Sequence, residues 1–443
     1  MKSNKKIFPI LIFALLFALT VFYSCNQNVE KNAEYELKIV SGMLIDIEVI
    51  GQGKVDVTVP EGVINIGGSV FKNNKQIRSV TFPDGFRELS EECFSGCVSL
   101  ERVSIPEGVT SIPVKAFYGC ISLEEVNIPD SVTSVDRTSF AGCEKALKVE
   151  DGVYYIGNWA VDCRKDVFGI TLREGTVGIA DQAFMDRSEL YYAVLPEGLL
   201  HLGDEAFKKS GILEILLPDS LITLGEGAFE YSELKKCRLP EGITRIPERC
   251  FYSSSLYEME IPDSVVSIGQ YALYKCGEWW GDAVWYFGNW LVGADFQVNS
   301  IDHTVREGTV GIADGVFKEV YGSITLKLPE GVKYFGSGCF RNAGGHPVKL
   351  SFRPGWKELD LSFVIGAVSE IDISTGAKIF AGNNPNSTTK IFINSNFRNY
   401  TWTVCINGEE RELTYAEKAS AEFITELICR TEGFEWLYGG NTK

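Results

Sequence analysis

Nine times along the chain an apolar residue, a proline and an acidic residue follow one another: Val59-Pro60-Glu61, Phe82-Pro83-Asp84, Ile105-Pro106-Glu107, Ile128-Pro129-Asp130, Leu195-Pro196-Glu197, Leu217-Pro218-Asp219, Leu239-Pro240-Glu241, Ile261-Pro262-Asp263 and Leu328-Pro329-Glu330. The prolines step by 23 residues from Pro60 to Pro129 and by 22 from Pro196 to Pro262. A fixed period of this length specifies a solenoid, in which each repeat is one coil stacked on the last. The distances from Pro129 to Arg173 and from Pro262 to Arg306 are each 44 residues, and both arginines occupy the proline slot, so each gap hides one divergent coil.

The stretch from Cys97 to Tyr118 shows what a coil requires. Val103 and Ile105 alternate with Ser104, which in an extended strand puts both apolar residues on one face. Pro106 has no N–H to give a ladder, so it ends the strand after a few residues, and Gly108 eases the turn. Stacked coils then pair these strands in parallel at about 4.8 Å per layer, which places each apolar residue over its counterpart one period earlier.

The consensus Cys-x-Ser-Leu-x-x-Val-x-Ile-Pro-x-x-Val-x-x-Ile-x-x-x-Ala-Phe-x-Gly resembles the BspA-type leucine-rich repeat of bacterial surface proteins, over roughly residues 44–355. The resemblance implies a β-rich leucine-rich-repeat solenoid of stacked 22–23-residue coils forming a parallel β-sheet. It also covers the interrupted coil, Asp151 to Trp159 and again Val284 to Trp290, where a Gly-Asn pair between aromatic and β-branched residues predicts a tight hairpin. The expected organisation is a lipoprotein signal peptide at 1–25, a tether and the start of a cap at 26–43, the solenoid at 44–355 and a C-terminal capping region with degenerate repeats and a helix at 356–443. A hairpin of residues 37–59, turning around Gly51 and Gly53, is expected to cap the first coil. Thr414 with Glu417 predicts the N-terminus of a helix through Ile428.

At the N-terminus Lys2, Lys5 and Lys6 precede an apolar stretch from Ile7 to Tyr23 and then Cys25. That order reads as an export signal whose cysteine takes a lipid, tethering the chain to a membrane; an ordinary cleaved signal and an uncleaved anchor are the alternatives. The expected location is the outer membrane, at the cell surface, the last from the resemblance. A formal charge of −17 makes nucleic acid a poor partner.

Of twelve cysteines, eleven remain beyond Cys25, an odd number that does not form a disulfide framework. Cys97, Cys120 and Cys143 fill one slot of successive coils, Cys93, Cys250 and Cys339 fill the small-residue slot of Ala116, and Cys237 replaces a core valine. Buried thiols in a ladder are the expectation, against an inter-coil disulfide or a metal site. Three histidines, His201, His303 and His346, show no ligand or nucleophile spacing, and His201 falls on an outward position that predicts a solvated side chain. No nucleophile elbow, phosphate loop or zinc signature is present, and paired carboxylates such as Glu124 and Glu125 recur as surface variation. No enzyme, cofactor or metal is expected.

Binding is expected where the strands vary outward. Tyr191, Tyr192, Val194, Leu213 and Leu216 make an apolar run on a face that is otherwise polar, followed by the cations Lys235, Lys236 and Arg238 and by Tyr257. A contact patch with a charged rim is one reading; cover by a neighbouring loop is the other. The rings of Trp279, Trp280, Trp285, Tyr286, Phe287 and Trp290 either plug the irregular coil or bind a ligand, with Trp280, Trp285 and Trp290 as a sugar-stacking site. The resemblance implies a non-catalytic adhesion protein for an extracellular protein; a glycan or mucin binder is the alternative. Oligomeric state is not readable.

Overall fold

The computed structural model describes residues 27–31, 34–276, 283–295, 300–340 and 348–352, and the backbone of short strands between Glu358 and Thr442. The chain is a β-solenoid whose coils are joined by parallel bridges, and it divides into two compact units, Met1–Ala206 and Phe207–Lys443.

In the first unit the strands Val55–Thr58, Ile77–Thr81, Arg102–Ser104 and Glu125–Asn127 pair in parallel, with Val80, Val103 and Val126 in one column. Each strand is short because a proline lies two residues past its end, and the last N–H before that proline still joins the ladder: Ile105 donates to the Asn127 carbonyl at 3.0 Å. The side of the coil that carries the Ala-Phe motif is also a ladder, built from turns. Phe94 N–H reaches Ala116 O and Phe117 N–H reaches Ser139 O, each at 2.8 Å. This backbone register stacks the rings of Phe71, Phe94, Phe117 and Phe140 at centroid separations of 4.6, 5.2 and 5.2 Å, fully buried. Such a ring column adds dispersion and pair geometry to simple area burial. In the second unit Phe207, Phe229 and Phe251 repeat it at 5.5 and 5.4 Å.

The Ala-Phe turns carry a feature invisible in residue type. The residue before the alanine slot is left-handed in coil after coil, at Glu92, Lys115, Gln182, Glu205, Arg249 and Tyr271, with φ between 53° and 60°. A second left-handed slot lies two residues after the phenylalanine, at Gly96, Gly119 and Gly142 but also at Lys209, Tyr231 and Ser253. Non-glycine residues accept this conformation because their N–H groups are fixed by the next coil, as in Ser253 to Tyr274 O at 2.8 Å.

The nine described cysteines outside the termini are free and buried. Cys97, Cys120 and Cys143 donate to the Phe71, Phe94 and Phe117 carbonyls at 2.9, 3.1 and 3.1 Å, so the thiol slot ties each coil to the previous one. Burial pushes the Cys97 thiol up to about 12, which keeps it a protonated donor.

Each gap in the period is a partial layer. In the first unit Val153–Ile156 and Trp159–Cys163 form the expected antiparallel hairpin, with Gly157 left-handed at its turn. Trp159 and Ala160 pair in parallel with Gly178 and Ile179, but Asp181 then changes partner and donates to Val135 O at 2.8 Å. In the second unit Trp290 and Leu291 pair with Gly311 and Ile312, and Asp314 donates to Ile268 O at 2.8 Å. The hairpin coil therefore supplies a layer on one side of the solenoid only.

Two readings change. The cap hairpin turns at Ser41 and Gly42, between Tyr35–Val40 and Met43–Val49, and not around Gly51 and Gly53; Val55–Thr58 instead belongs to the parallel sheet. His201 is buried, not solvated, because Trp159 reaches across Gly178 and stacks on it at 6.0 Å, with the rings 3° apart. Parallel pairing continues past Pro354, as degenerate repeats require: Val348–Phe352, Glu370–Ile373 and Lys390–Ile393 follow one another in register. The helix expected from Thr414 lies outside the described residues.

Candidate binding faces

The outward strand positions of the first unit carry Tyr191, Tyr192 and Val194, and all three are exposed. Their strand, Tyr192–Val194, pairs with Gly169–Thr171, and the pairing sets Tyr192 opposite Gly169. A Cβ at Gly169 would lie 2.0 Å from the Tyr192 ring, so the ring lies flat on the Gly169 backbone, held by the absence of a side chain there. Tyr192 as a whole remains 56% exposed. Beside it Tyr191 and Phe168 stack at 6.3 Å with planes 2° apart, and Phe168 is 60% exposed. Phe168 escaped sequence reading because it belongs to the divergent coil. It lies one 23-residue period before Tyr191, which is the signal that finds it.

The second unit carries Leu213, Leu216, Lys235, Arg238 and Tyr257, all exposed, with Lys236 half-exposed. Parallel register aligns Glu214 with Lys236 and Glu258, and Leu216 with Arg238 and Glu260. Charge therefore alternates across these strands. Lys236 binds Glu258 at 2.8 Å, and that hydrogen bond raises its pKa; Arg238 reaches Asp219 at 3.2 Å. Two of the three cations of the expected rim, Lys236 and Arg238, are held in ion pairs, so Leu216, at 69% exposure, is bordered in part by neutralised charge.

The tryptophan site changes most. Trp290 is 1% exposed and stacks on Tyr334 at 5.7 Å across Gly311, so its ring belongs to the core and offers no face to a ligand. The same arrangement buries Trp159, because both rings need the glycine one coil on to reach the ring beyond it. Trp285 is half-buried over Gly293. Trp279, Trp280 and Cys25 lie outside the described residues.

Among the described residues no group of three His, Cys, Asp or Glu side chains is placed to hold a metal ion. Glu230, 2% exposed, accepts from Lys208 at 2.8 Å and from Arg249 Nε at 2.9 Å. Two cations from different turns converge on this one carboxylate, which makes it a structural clamp.

The model of the BspA type leucine rich repeat region matches residues 54–167 and 155–278 in six copies, together just over half of the 443 residues. No curated protein matches the chain. Among solved structures, the chain is similar to a leucine rich cell surface protein from Faecalibacterium prausnitzii, with 18% identity, covering 83% of this chain and 95% of the other at a TM-score of 0.27. It is similar also to a leucine-rich repeat protein from Bacteroides ovatus, with 20% identity over 83% and 87% of the two chains and a TM-score of 0.25. A leucine-rich repeat protein from Eubacterium ventriosum shares 14% identity over 55% and 87%, at a TM-score of 0.27.

Proposed function

The chain belongs to the BspA-type leucine-rich repeat family, and from that premise we propose that it is a non-catalytic cell-surface protein that holds a macromolecular partner on its outward strand face. The observation that carries this reading is the aromatic surface of the first unit, where Tyr192 opens a paired strand and Phe168 and Tyr191, joined by a backbone hydrogen bond, immediately precede two such strands, all three side chains exposed. Monomeric surfaces do not commonly cluster exposed rings in this way, and tyrosine at a preorganised position supplies contact area at low entropic cost. Leu216 and Tyr257 of the second unit extend the same kind of surface on that unit's own strands. We assign the partner to the extracellular proteins and the attachment of the chain to a lipid on Cys25, at the outer membrane.

A glycan or mucin ligand is the second reading. With Trp290 in the core, what favours it is Tyr192, a flat ring with one open face of the kind on which a sugar stacks.

Protease shaving of intact cells, followed by detection of the repeat region, tests the location: loss of signal is expected, and survival would confine the chain within the envelope. Binding of the purified chain to arrays of extracellular proteins and of glycans tests the partner. The paired substitution Tyr191→Ala and Tyr192→Ala should abolish protein binding with little change in the unfolding midpoint. Retention of protein binding in that variant would remove the surface from the reading, and binding confined to glycans would favour the second.

A further inference from the structure

The cap over the first coil carries an apolar surface on its outward side. On the hairpin of Tyr35–Val40 and Met43–Val49, Val40 opposite Met43 and Lys38 opposite Asp46 lie on the face away from buried Ile39 and Leu44. The strand Gln27–Lys31 adds Val29, which pairs with Lys38. A bulge in the hairpin ladder leaves Ile45 as the extra, unpaired residue. Beside the turn, Ile64 donates its N–H to Gly42 O at 2.8 Å, and its Cγ1 lies 3.6 Å from where a Cβ on Gly42 would stand. Val29, Met43, Ile45 and Ile64 are each between 37% and 48% exposed.

In the coils that follow, these slots are polar. Asn65 pairs with Met43 and bridges to Glu88, and Arg87, Thr110 and Thr133 succeed Ile64 at the 23-residue period. Apolar side chains gathered at one end of an otherwise polar face mark a contact. The Lys38–Asp46 ion pair, at 2.8 Å, neutralises the charges set among them, and the surface turns acidic only at Glu36 and Glu48, opposite one another farther from the hairpin turn.

What this surface meets follows from its place in the chain. Gln27 begins the strand that carries Val29, and Cys25 stands two residues earlier, a reach of about 7 Å at full extension. Given the reading that Cys25 carries the lipid, on which this inference rests, the anchor leaves the cap no linker with which to stand off from the bilayer. We infer that the cap lies in the membrane interface, with Val29, Met43, Ile45 and Ile64 entering the boundary between head groups and acyl chains and with Glu36 and Glu48 kept in water. Apolar side chains gain there by leaving water, and this second contact adds to the hold of the lipid itself. Lipid and cap together then fix how the first coil meets the bilayer.

Photocrosslinking of the full chain in vesicles of phosphatidylethanolamine and phosphatidylglycerol tests it, with benzoylphenylalanine in place of Met43 and, as control, in place of Ile121, which is exposed but lies more than three periods later. Mass spectrometry reads the adduct at each position and the lipid on the Cys25 peptide. A phospholipid adduct several-fold more abundant at position 43 than at 121 is expected. The paired change Ile45→Asp and Ile64→Asp, both at exposed positions, should reduce that adduct several-fold without moving the unfolding midpoint. An unmodified Cys25 with the adduct still formed would remove the lipid anchor and support the interface. A lipid on Cys25 with no phospholipid adduct at position 43, or with equal adducts at 43 and 121, overturns the inference and leaves the anchor standing. Adducts at 43 to a second copy or to another protein overturn it in favour of a protein contact.

Discussion

The phenolic oxygen of Tyr155 accepts the backbone N–H of Arg173 at 3.1 Å, while the guanidinium of Arg173 lies over the same ring, 4.3 Å from its centroid. Tyr286 and Arg306 repeat both contacts in the second unit, at 3.3 and 4.2 Å. This explains why the proline slot holds arginine after each hairpin coil. A proline has no N–H, and the buried tyrosine of the hairpin needs a donor there.

A double-mutant cycle on this pair should show coupling. Tyr155→Phe is expected to cost about 1 kcal/mol and Arg173→Pro somewhat more, because it loses the donor and the cation over the ring. In the Arg173→Pro background Tyr155→Phe should cost much less, since the hydroxyl has already lost its donor. Additive effects in urea unfolding would show that the two contacts do not act together.

The left-handed slot after the phenylalanine makes a reciprocal pair of predictions. Ser253 occupies it at φ 52° where Gly119 holds it at φ 70° two coils into the first unit. Ser253→Gly is expected to stabilise by about 0.5–1 kcal/mol and Gly119→Ser to destabilise by a similar amount, although a Cβ at Gly119 meets open space. Thermal unfolding of both variants checks this; the same sign for both changes would defeat it.

Much of this fold is legible in the sequence because one period repeats. Val103 and Ile105, the Phe117 column and the Gly157-Asn158 hairpin all follow from spacing and residue type alone. The left-handed conformations of Glu92 and Lys115 do not, since nothing in a glutamate or lysine prefers them; they are imposed by N–H groups that must meet the next coil. His201 was misread for a related reason. Its coil is regular, and its burial depends on a tryptophan 42 residues earlier that crosses an intervening glycine. The outward positions of Tyr191, Tyr192 and Leu216 were readable as exposed, but the ion pairs that neutralise Lys236 and Arg238 depend on cross-strand register and turn geometry.

Asp181 should make stability depend on pH. Burial, with Asp204 and Asp136 nearby, raises its pKa from 3.8 to about 6, against the hydrogen bonds it accepts from Asp204 N–H and Ser134 Oγ at 2.9 Å. A carboxyl that holds its proton more tightly folded than unfolded favours the fold at low pH, and this contribution is lost as pH rises from about 4 through about 6. Asp181→Asn keeps an acceptor for Asp204 and a polar partner for Ser134. It should therefore be more stable than the parent by about 2 kcal/mol at pH 7.5 and nearly equal to it at pH 4. Denaturant midpoints at the two values measure the difference, and a gap independent of pH would remove Asp181 as its source.

The glycines under the two buried tryptophans should tolerate no side chain. A Cβ at Gly178 would lie 2.4 Å from the Trp159 ring, and at Gly311 2.3 Å from that of Trp290. The added Cβ would enter the space between each tryptophan and the ring that stacks on it beyond the glycine, His201 at 6.0 Å and Tyr334 at 5.7 Å. Gly178→Ala is expected to cost about 3 kcal/mol through overpacking, and Gly311→Ala the same. Gly68→Ala, at an exposed position with open space around its Cβ, is the control and should change stability little. Because the clash is with the ring itself, Gly178→Ala should be relieved in part when Trp159→Leu is added, so that the double variant loses less than the two single changes summed. Simple additivity would mean that Gly178 is needed for its backbone and not for the tryptophan it admits.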